Sequence, residues 1–493
     1  MSGTFWAVLP PVIAIVLALL TKEVYISLFI GIIAGCLLFT GGNVIFAVNS
    51  TFEIMGGKVS ENVDILIFLV LLGIIVALIS KSGASRAYGN WAVKTIRSKR
   101  GSLLATTCLG AVIFVDDYFN CLTVGTVMRP VTDRHNISRA KLAYIIDATA
   151  APVCIIAPIS SWAAAVGSSL PKDSTIDGFS LFLQTIPFNF YALFTIVFML
   201  FIIFSGIDFL AMKKVEDSGI SKTPSLEFEE FKIVGHGTVL DLILPILALI
   251  LSCIGFMLYT GGFFQGISLT EAFANCIAAR SLVLGSFFTI VFTFFLYLFR
   301  KIITFTQFCD SFTEGFKAMA PSILILCLAW TLSGICSPDY LDLQGYVAVL
   351  VAKAQSLNSL LPSLFFLVSL GLAFATGTSW GTFGILIPIA AGVFSTAPDM
   401  IVISVAAILA GAVCGDHISP ISDTTILSST GAQCNHIEHV NTQIPYALCV
   451  AACSLLGFLV AGLTRNGYFG LLIGGIALFS LLAFLFVKFR KAI

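Results

Sequence analysis

Apolar segments of membrane-spanning length follow one another along most of this 493-residue chain. Hydrophobic residues make up 58% of the sequence and charged residues only 11%, which is far from the balance of soluble domains. In hydrocarbon every backbone hydrogen bond must be satisfied internally, so such segments cross as helices of about 20 residues. The sequence therefore predicts an all-α polytopic membrane protein, and its zero net charge argues against a nucleic-acid partner.

About eleven apolar segments of the sequence are close to this length, and each is predicted to be a transmembrane helix. They fall at residues 5–20, 24–40, 63–80, 142–167, 185–206, 239–258, 281–299, 319–336, 400–430, 444–464 and 467–487. Two more apolar segments, 103–130 and 362–396, are interrupted by polar or glycine-rich stretches, and both are predicted to be re-entrant hairpins. The basic amphipathic stretch from Lys81 to Arg100 is predicted to lie on the membrane surface.

The distribution of Lys and Arg predicts the orientation. If spans alternate and the tail with Lys488 is cytoplasmic, most basic residues fall on the cytoplasmic side, as the positive-inside rule requires. The other side keeps only Lys58, Lys172, Arg280, Lys353 and Arg465. This arrangement predicts an N-terminus outside, a cytoplasmic C-terminus, and hairpins that enter from opposite faces.

Two stretches of the chain match in sequence as well as in predicted topology. Pro-Ile-Ser occurs at 158–160 and again at 420–422, each time after a hairpin that ends near a proline, Pro130 or Pro388. The match predicts an inverted-topology repeat in residues 1–210 and 239–464, with a cytoplasmic linker at 211–238 and a last helix and tail at 465–493. Proline interrupts a helix, so 142–167 and 400–430 are predicted to be broken helices at the membrane midplane, with exposed carbonyls that attract cations.

The second broken helix carries unusual polar residues for a membrane segment. Asp416 and Asp423 flank Pro420, and two carboxylates in one span require a compensating cation or proton. His417 can titrate near neutral pH or donate to a substrate carboxylate, although a buried histidine is often only hydrogen-bonded. Hydroxyl ligands can come from Ser419, Ser422 and Thr424.

The first hairpin offers a second set of oxygens. Asp116 and Asp117 are adjacent, which favours proton binding by one of them, unless the pair is solvated at the hairpin mouth or bound by Arg129. Asn120 and Thr123 provide neutral oxygens that suit Na⁺, or they make helix–helix hydrogen bonds. A Na⁺ site is therefore predicted at Asp117, Asn120, Asp416 and Asp423.

The remaining candidates lie on the other predicted elements. Asp147 is deep enough in its span to act in the site but close enough to Lys141 to pair with it. Trp380 can line a substrate pocket or only pack. Hydroxyl groups that are predicted to reach the site belong to Ser160, Ser161, Thr376, Thr378 and Ser379.

One further pattern is not predicted to bind a metal ion. His436-Ile-Glu-His439 has the spacing of a metal-binding pair, but it falls in a predicted cytoplasmic loop without further ligands.

Three motifs together resemble the NhaC-type sodium/proton antiporter family. They are Phe114-Val-Asp-Asp-Tyr-Phe-Asn-Cys-Leu-Thr-Val-Gly125, Thr376-Gly-Thr-Ser-Trp-Gly381 and Gly415-Asp-His-Ile-Ser-Pro-Ile-Ser-Asp-Thr-Thr425, and the resemblance extends over about residues 5–465. It implies a bacterial inner-membrane location and membership of the ion transporter superfamily, with its fold of hairpins and broken helices. It also implies an ambiguity of cargo, because similar proteins include Na⁺/H⁺ antiporters, malate/lactate exchangers and amino-acid transporters.

Alternating access with exchange of Na⁺ for H⁺ at a carboxylate site is the leading functional hypothesis. The alternative is Na⁺- or H⁺-coupled transport of an amino acid or small carboxylic acid. An intramembrane protease is disfavoured because the Gly-x-Gly-Asp and His-Glu-x-x-His patterns are absent, and no P-loop is present for an ATP-driven pump. No cofactor is expected beyond the transported ions, and the oligomeric state stays open, with a homodimer among the alternatives.

Overall fold

The computed structural model describes residues 2–21, 23–114, 117–157, 178–218, 233–343, 359–394 and 397–489, with single residues at 160, 162, 166, 170, 345, 346 and 349. The described residues form helices and turns, and no strands. Five residues named individually in the sequence analysis lie outside the described residues, namely Asp116, Pro158, Ser161, Lys172 and Lys353.

The α-helices have the following bounds in chain order. They are α1 Leu9–Thr21, α2 Val24–Phe39, α3 Val44–Glu61, α4 Val63–Lys81, α5 Ala84–Thr95, α6 Lys99–Val112, α7 Asp117–Arg134, α8 Arg139–Thr149, α9 Ala151–Cys154, α10 Gly178–Thr185, α11 Phe190–Ser205, α12 Leu210–Ser218, α13 Leu240–Thr260, α14 Leu269–Asn275, α15 Ala278–Phe299, α16 Phe305–Ile335, α17 Leu361–Thr376, α18 Ser379–Val393, α19 Pro398–Ile418, α20 Asp423–Ala432, α21 His436–Thr464 and α22 Gly467–Phe489. Short 3-10 helices occupy Phe5–Val8, Ile186–Phe188 and Phe263–Gln265.

Polar side chains at the N-caps define where several apolar helices begin. Ser138 accepts a hydrogen bond from the backbone N–H of Lys141 at 3.1 Å, and Ser422 accepts from that of Thr425 at 3.3 Å. Thr304 and Gln307 form a capping box at the start of α16. These side chains satisfy backbone donors that the first turn of a helix leaves free, so the sequence sets these helix ends locally.

The prediction of a polytopic membrane protein is confirmed. Seven helices of the described residues are long and apolar enough to cross a membrane, or eight if α2 and α3 are taken together as one bent span. They include the predicted spans near 63–80, 239–258, 281–299, 444–464 and 467–487. The predicted spans at 5–20 and 319–336 contain shorter apolar helices, Phe5–Ala18 and Leu326–Ile335, and the total of about eleven stays a prediction.

Helix α3 corrects the sequence analysis, which assigned no helix between residues 40 and 63. Its 18 residues follow α2 at a bend of 119°. Ala47, Thr51 and Ile54 are buried against the protein while Ile45 and Phe46 are exposed. The polar residues on its other positions lower its mean hydropathy, which is why a search for apolar segments passed over this helix.

The second predicted hairpin consists of α17 and α18, which are 16 and 15 residues long. At 1.5 Å per residue each helix is roughly 24 Å long, which is shorter than the hydrocarbon core of about 30 Å. Between the helices Gly377 adopts a left-handed conformation with φ of 69°. α17 then runs in the same direction as α19, because Gly411 packs against the Phe366 carbonyl and Gly415 against the Leu370 carbonyl. Any three consecutive helices that alternate in direction share this relation, so the re-entrant hairpin stays a prediction.

The first predicted hairpin region has the same helix–break–helix pattern. α6 ends at Val112 and α7 begins at Asp117. The Asn120 amide donates to the carbonyl oxygens of Gly110 at 2.7 Å, Ile113 at 2.8 Å and Thr149 at 3.2 Å. One side chain therefore satisfies the end of α6 and joins it to the end of α8.

The predicted interruption at Pro420 is present. α19 ends at Ile418 and α20 begins at Asp423, so residues 419–422 form the break. In the other half, α8 ends at Thr149 and α9 covers only Ala151–Cys154. The break that the sequence analysis predicted at Pro158 falls outside the described residues.

Two glycines allow the first hairpin to contact the second broken helix directly. A Cβ atom at Gly125 of α7 would lie 2.3 Å from the carbonyl carbon of Gly431 in α20. No side chain fits at this distance, so the backbones of these helices touch.

We expect Gly125→Ala to destabilise the protein. The added methyl group overlaps the backbone of Gly431, which has no side chain to rotate away, and overpacking of this kind costs about 1–3 kcal/mol. The measurement is the thermal unfolding midpoint in detergent. Gly255→Ala in α13 is the control, because a Cβ there meets no atom within 4 Å and alanine favours helix. An unchanged midpoint for Gly125→Ala would contradict the close contact.

Candidate functional site

Asp416 lies at the centre of the polar residues around the Pro420 break. Its side chain is 1% exposed, and its Oδ2 accepts hydrogen bonds from Ser379 Oγ at 2.9 Å and Thr424 Oγ1 at 3.3 Å. Its Oδ1 is buried and has no hydrogen-bond partner among the described residues. The second hairpin and α20 therefore both face this carboxylate, and one of its oxygens is available to a ligand.

Asp423 lies on the other side of the break, in the first turn of α20. It is 8% exposed and accepts a short hydrogen bond from the hydroxyl of Tyr118 in α7. The Thr424 backbone N–H also donates to its Oδ1 at 2.9 Å. The N-terminus of α20 stabilises a negative charge at this position. Asp117 occupies the equivalent first turn of α7 and is also buried.

Asn120 and Thr123 lie on α7 next to this region and have buried oxygens. Neither Asn120 Oδ1 nor Thr123 Oγ1 has a hydrogen-bond partner among the described residues. The amide nitrogen of Asn120 holds the hairpin break, so only its oxygen remains for another role. Unpaired buried oxygens are costly unless a cation, a proton or a water molecule binds them.

The hydroxyls of the second hairpin divide into two groups. Ser379 binds Asp416 directly. Thr376 donates to the Leu372 carbonyl of its own helix at 2.8 Å, and Thr378 caps α18. The structure therefore brings Ser379 to the carboxylate, whereas the other two stabilise the ends of the hairpin helices.

Aromatic rings join the second hairpin to the first broken helix. Trp380 is 38% exposed and packs edge to face on the buried Trp162, with ring centroids 5.8 Å apart. Trp162 follows Ser160, whose hydroxyl donates to the carbonyls of Cys154 at 2.8 Å and Ala157 at 3.1 Å. Trp380 thus packs at the site, while Ser160 holds the turn after α9.

The carbonyls at the Pro420 break are bound by side chains. Thr425 Oγ1 donates to the Asp416 carbonyl at 3.0 Å, and Gln443 Nε2 donates to the His417 carbonyl at 2.7 Å. His436 Nε2 lies 2.7 Å from the Pro420 carbonyl. The sequence analysis expected exposed carbonyls that attract cations, but these three already have donors. Hydrogen bonds from side chains therefore occupy these three carbonyls, whereas Asp416 Oδ1 has no hydrogen-bond partner among the described residues.

Two hydroxyls of the break also stabilise local structure. Ser419 Oγ donates to the Phe374 carbonyl of α17 at 2.8 Å, which ties the break to the end of the second hairpin's first helix. Ser422 caps α20 and lies 3.1 Å from Thr424 Oγ1.

Asp147 of α8 lies in a second buried cluster. Its Oδ2 accepts from Gln443 Nε2 at 2.6 Å and lies 3.3 Å from His439 Nε2, and both partners belong to α21. The alternative partner Lys141 instead binds both carboxylate oxygens of Asp208 at 2.6 Å. Asp147 is therefore surrounded by nitrogen atoms from another helix.

His417 connects the two clusters along α19. Its Nε2 is 3.1 Å from the Asp147 carbonyl, and its Nδ1 is 3.2 Å from the Tyr191 hydroxyl. Its neighbour in sequence, Asp416, points to the oxygen cluster. Because both ring nitrogens of His417 contact protein oxygens, this arrangement leaves the ring no free nitrogen for a substrate carboxylate.

The placement of His436 and His439 in a cytoplasmic loop was wrong. Both belong to the first turn of α21 and are 6% and 0% exposed. The sequence signal was their spacing with Gln443, because positions separated by three and four residues share one face of a helix. Tyr118 was also missed, since an aromatic residue in an apolar segment has no distinguishing pattern.

No group of three or more His, Cys, Asp and Glu residues that could hold a metal ion occurs among the described residues. A site for a transition metal is thus not formed there. The available oxygens of carboxylate, amide and hydroxyl groups suit a hard monovalent or divalent cation instead.

A model of the Na⁺/H⁺ antiporter family matches residues 173–463. An uncharacterized protein of Haemophilus influenzae is 39% identical over 489 residues, which cover 95% of this chain and 93% of that protein. Shorter similarities occur to a malate-2H⁺/Na⁺-lactate antiporter of Bacillus subtilis, 33% identical over 22% of this chain and 24% of that protein, and to the arginine/ornithine antiporter ArcD of Halobacterium salinarum, 36% identical over 22% of this chain and 23% of that protein. The family model covers more than half of the chain, and the protein therefore belongs to the Na⁺/H⁺ antiporter family.

Proposed function

We propose that this protein exchanges Na⁺ for H⁺ by alternating access in a bacterial inner membrane, with Asp416 and Asp423 as the exchange site. The observation that carries the proposal is the pair of buried carboxylates on either side of one helix break. Membership of an antiporter family supports a transporter rather than an enzyme.

Exchange follows from the cost of an uncompensated carboxylate in a membrane interior. Either a bound Na⁺ or a bound proton removes that cost, and two ligands that neutralise the same group compete for it. While the site changes from facing one side of the membrane to facing the other, an empty site with its full negative charge is energetically disfavoured. The competition therefore couples the outward flux of one ion to the inward flux of the other.

The Na⁺ ligands in this proposal are side-chain oxygens. Asp416 Oδ1, Asn120 Oδ1 and Thr123 Oγ1 are buried without hydrogen-bond partners among the described residues, which fits a hard cation. Asp423 and Asp117 contribute negative charge from the first turns of α20 and α7.

The mechanism proposed for access uses the inverted repeat, with two hairpins and about eleven spans. Contacts between the predicted halves support this. Tyr118 of the first hairpin binds Asp423, Trp162 of the first broken helix packs on Trp380, and His417 lies on the Asp147 carbonyl. When one half moves against the other, the contacts that the two halves make at the site change together.

A second candidate function is transport of a small carboxylic or amino acid with Na⁺ or H⁺. The exposed ring of Trp380 near Ser379 favours it, since an aromatic ring can pack on an organic solute. Two relatives with local similarity are named as a malate-2H⁺/Na⁺-lactate antiporter and an arginine/ornithine antiporter.

Reconstitution in liposomes tests both functions. We expect a Na⁺ gradient alone to change the lumenal pH, reported by a trapped pH-sensitive dye, with choline chloride as the control. A pH change that requires malate, lactate, arginine or ornithine would favour the second candidate. No pH change under any of these conditions would overturn Na⁺/H⁺ exchange.

We expect Asp416→Asn to weaken the apparent affinity for Na⁺ about a hundredfold, which corresponds to about 3 kcal/mol. The substitution keeps the shape of the side chain but removes the charge that binds the cation. The measurement is the Na⁺ concentration for half-maximal pH change in liposomes. Asp399→Asn is a matched control, because Asp399 is an exposed carboxylate at the opposite end of the same helix. Equal affinities for Asp416→Asn and the native protein would remove Asp416 from the site.

We expect Tyr118→Phe to reduce the apparent Na⁺ affinity by about tenfold while the protein stays folded. A hydrogen bond to a charged group contributes about 1.5–3 kcal/mol, and Na⁺ binds the charged form of Asp423 that this hydroxyl stabilises. The same liposome assay measures the change. Tyr259→Phe, an exposed tyrosine of α13, is the control, and a native affinity in Tyr118→Phe would show that Asp423 acts without this donor.

A further inference from the structure

A positively charged surface follows the end of α4. It comprises α5, the short connection after it and the first turn of α6. We call it the α5 surface, and its exposed cations are Arg86, Lys94, Arg97 and Arg100. The sequence contains no Asp or Glu between Asp64 and Asp116, so no acidic residue of this segment offsets these charges.

The described part of the chain leaves these four cations without an ion pair. Their neighbour Lys99 is bound by Glu216 and is therefore not counted among them. Charges of one sign that lie close together repel each other, and a ligand of opposite charge removes this repulsion. The α5 surface thus has the electrostatics of a surface that binds anions.

α5 has one face in the protein and another outside it. The helix packs against α7 and α13, and Ala84 is fully buried. Arg86 and Lys94 are about two helical turns apart and lie on the exposed side. Trp91, one turn before Lys94, is 45% exposed. An exposed indole ring next to basic residues is typical of helices in the interfacial region of a membrane.

The α5 surface also begins where a membrane-spanning helix ends. α4 is long and apolar enough to cross a membrane, and it ends at Lys81. The chain turns at Gly83, where φ is 79°, and α5 begins at Ala84. Three residues span at most about 11 Å. The start of α5 is therefore within reach of the lipid headgroups at this end of α4.

Two other sources of negative charge fit these observations less well. Residues 219–232 of the linker lie outside the described residues and contain three Glu and two Lys, so their net charge is too small to balance four cations. Inorganic phosphate has the charge but no apolar part for the exposed ring of Trp91. An anionic phospholipid combines a phosphate group, which Arg and Lys bind well, with acyl chains beside it.

We propose that the α5 surface binds the headgroup of an anionic phospholipid in the leaflet at the end of α4. The phosphate accepts hydrogen bonds from the Arg and Lys side chains, and the Trp91 ring lies at the level of the headgroup and the upper acyl chains. Because α5 packs on α7 and is followed by α6, the bound lipid is held against both helices of the first predicted hairpin. The proposal is independent of which ion or solute is transported.

Tryptophan fluorescence tests the proposal at Trp91. The protein is reconstituted in phosphatidylcholine vesicles with a minor fraction of phosphatidylglycerol whose acyl chains carry bromine near the headgroup, because bromine quenches nearby indole rings. Vesicles in which the brominated lipid is phosphatidylcholine are the reference. We expect stronger quenching by brominated phosphatidylglycerol, and we expect Trp91→Phe to lose this excess. Trp6→Phe keeps it and is the matched control, since Trp6 is 49% exposed and lies outside the α5 surface.

Two results of this measurement would overturn the proposal. One is equal quenching by the two brominated lipids in the native protein. The other is an excess of quenching by phosphatidylglycerol that persists in Trp91→Phe, because the lipid would then be bound elsewhere.

Charge substitutions test the cations. Arg86→Gln, Lys94→Gln and Arg97→Gln are combined in one variant, and the fraction of brominated phosphatidylglycerol for half-maximal quenching is measured in mixed detergent micelles. We expect this fraction to rise at least about tenfold, because each basic residue near an anionic surface raises the affinity roughly fivefold. The matched control combines Lys214→Gln, Lys301→Gln and Lys317→Gln, which removes three exposed cations elsewhere. A rise of the same size in both variants would show that only total charge matters, and a site at α5 would be excluded.

Soluble ions distinguish a lipid from free phosphate. Raising choline chloride from about 0.1 to 1 M shortens the Debye length from about 10 to 3 Å, and we expect it to reduce the excess quenching. Inorganic phosphate at matched ionic strength is expected to reduce the excess no further. A larger reduction by phosphate would assign the α5 surface to a soluble anion instead of a lipid.

Discussion

A broken helix in hydrocarbon needs hydrogen-bond donors for the carbonyls that its break exposes. The rest of this structure depends on which side chains donate to these carbonyls. At Pro420 the donors are side chains of the helices that follow. Thr425 binds the Asp416 carbonyl, Gln443 binds the His417 carbonyl, and His436 contacts the Pro420 carbonyl. These bonds hold the break against α20 and α21, and Asp416 Oδ1 beside it is buried without a hydrogen-bond partner among the described residues.

The last turn of α19 divides the buried polar residues into two environments. Asp416 faces hydroxyl oxygens of Ser379 and Thr424, whereas His417 faces the Asp147 carbonyl and the Tyr191 hydroxyl. Hydroxyl oxygens around a carboxylate leave room for a hard cation, whereas N–H donors around a carboxylate stabilise its charged form directly. Asp416 and Asp147 are therefore two buried carboxylates in different surroundings.

Close contacts join the helices that carry the buried polar residues. α7 and α20 touch at Gly125 and Gly431, where the backbones approach too closely for side chains. α18 contacts the first broken helix through Trp380 and Trp162. Both contacts join the two predicted halves of the chain.

The periodicity and polarity of the sequence alone determined the membrane class and the break at Pro420, and they singled out Asp416 and Asp423 as candidates, because every charge and proline stands out in an apolar chain. The sequence could not reveal α3, because the polar residues of this helix lower its mean hydropathy. It also could not reveal the burial of His439, because a histidine near the start of a helix has the same sequence pattern in a loop as in a core. Only the tertiary structure decided which donors satisfy the broken backbone and that Asp147 pairs with α21 instead of Lys141. Such pairings depend on which helices pack together, and local sequence does not contain that information.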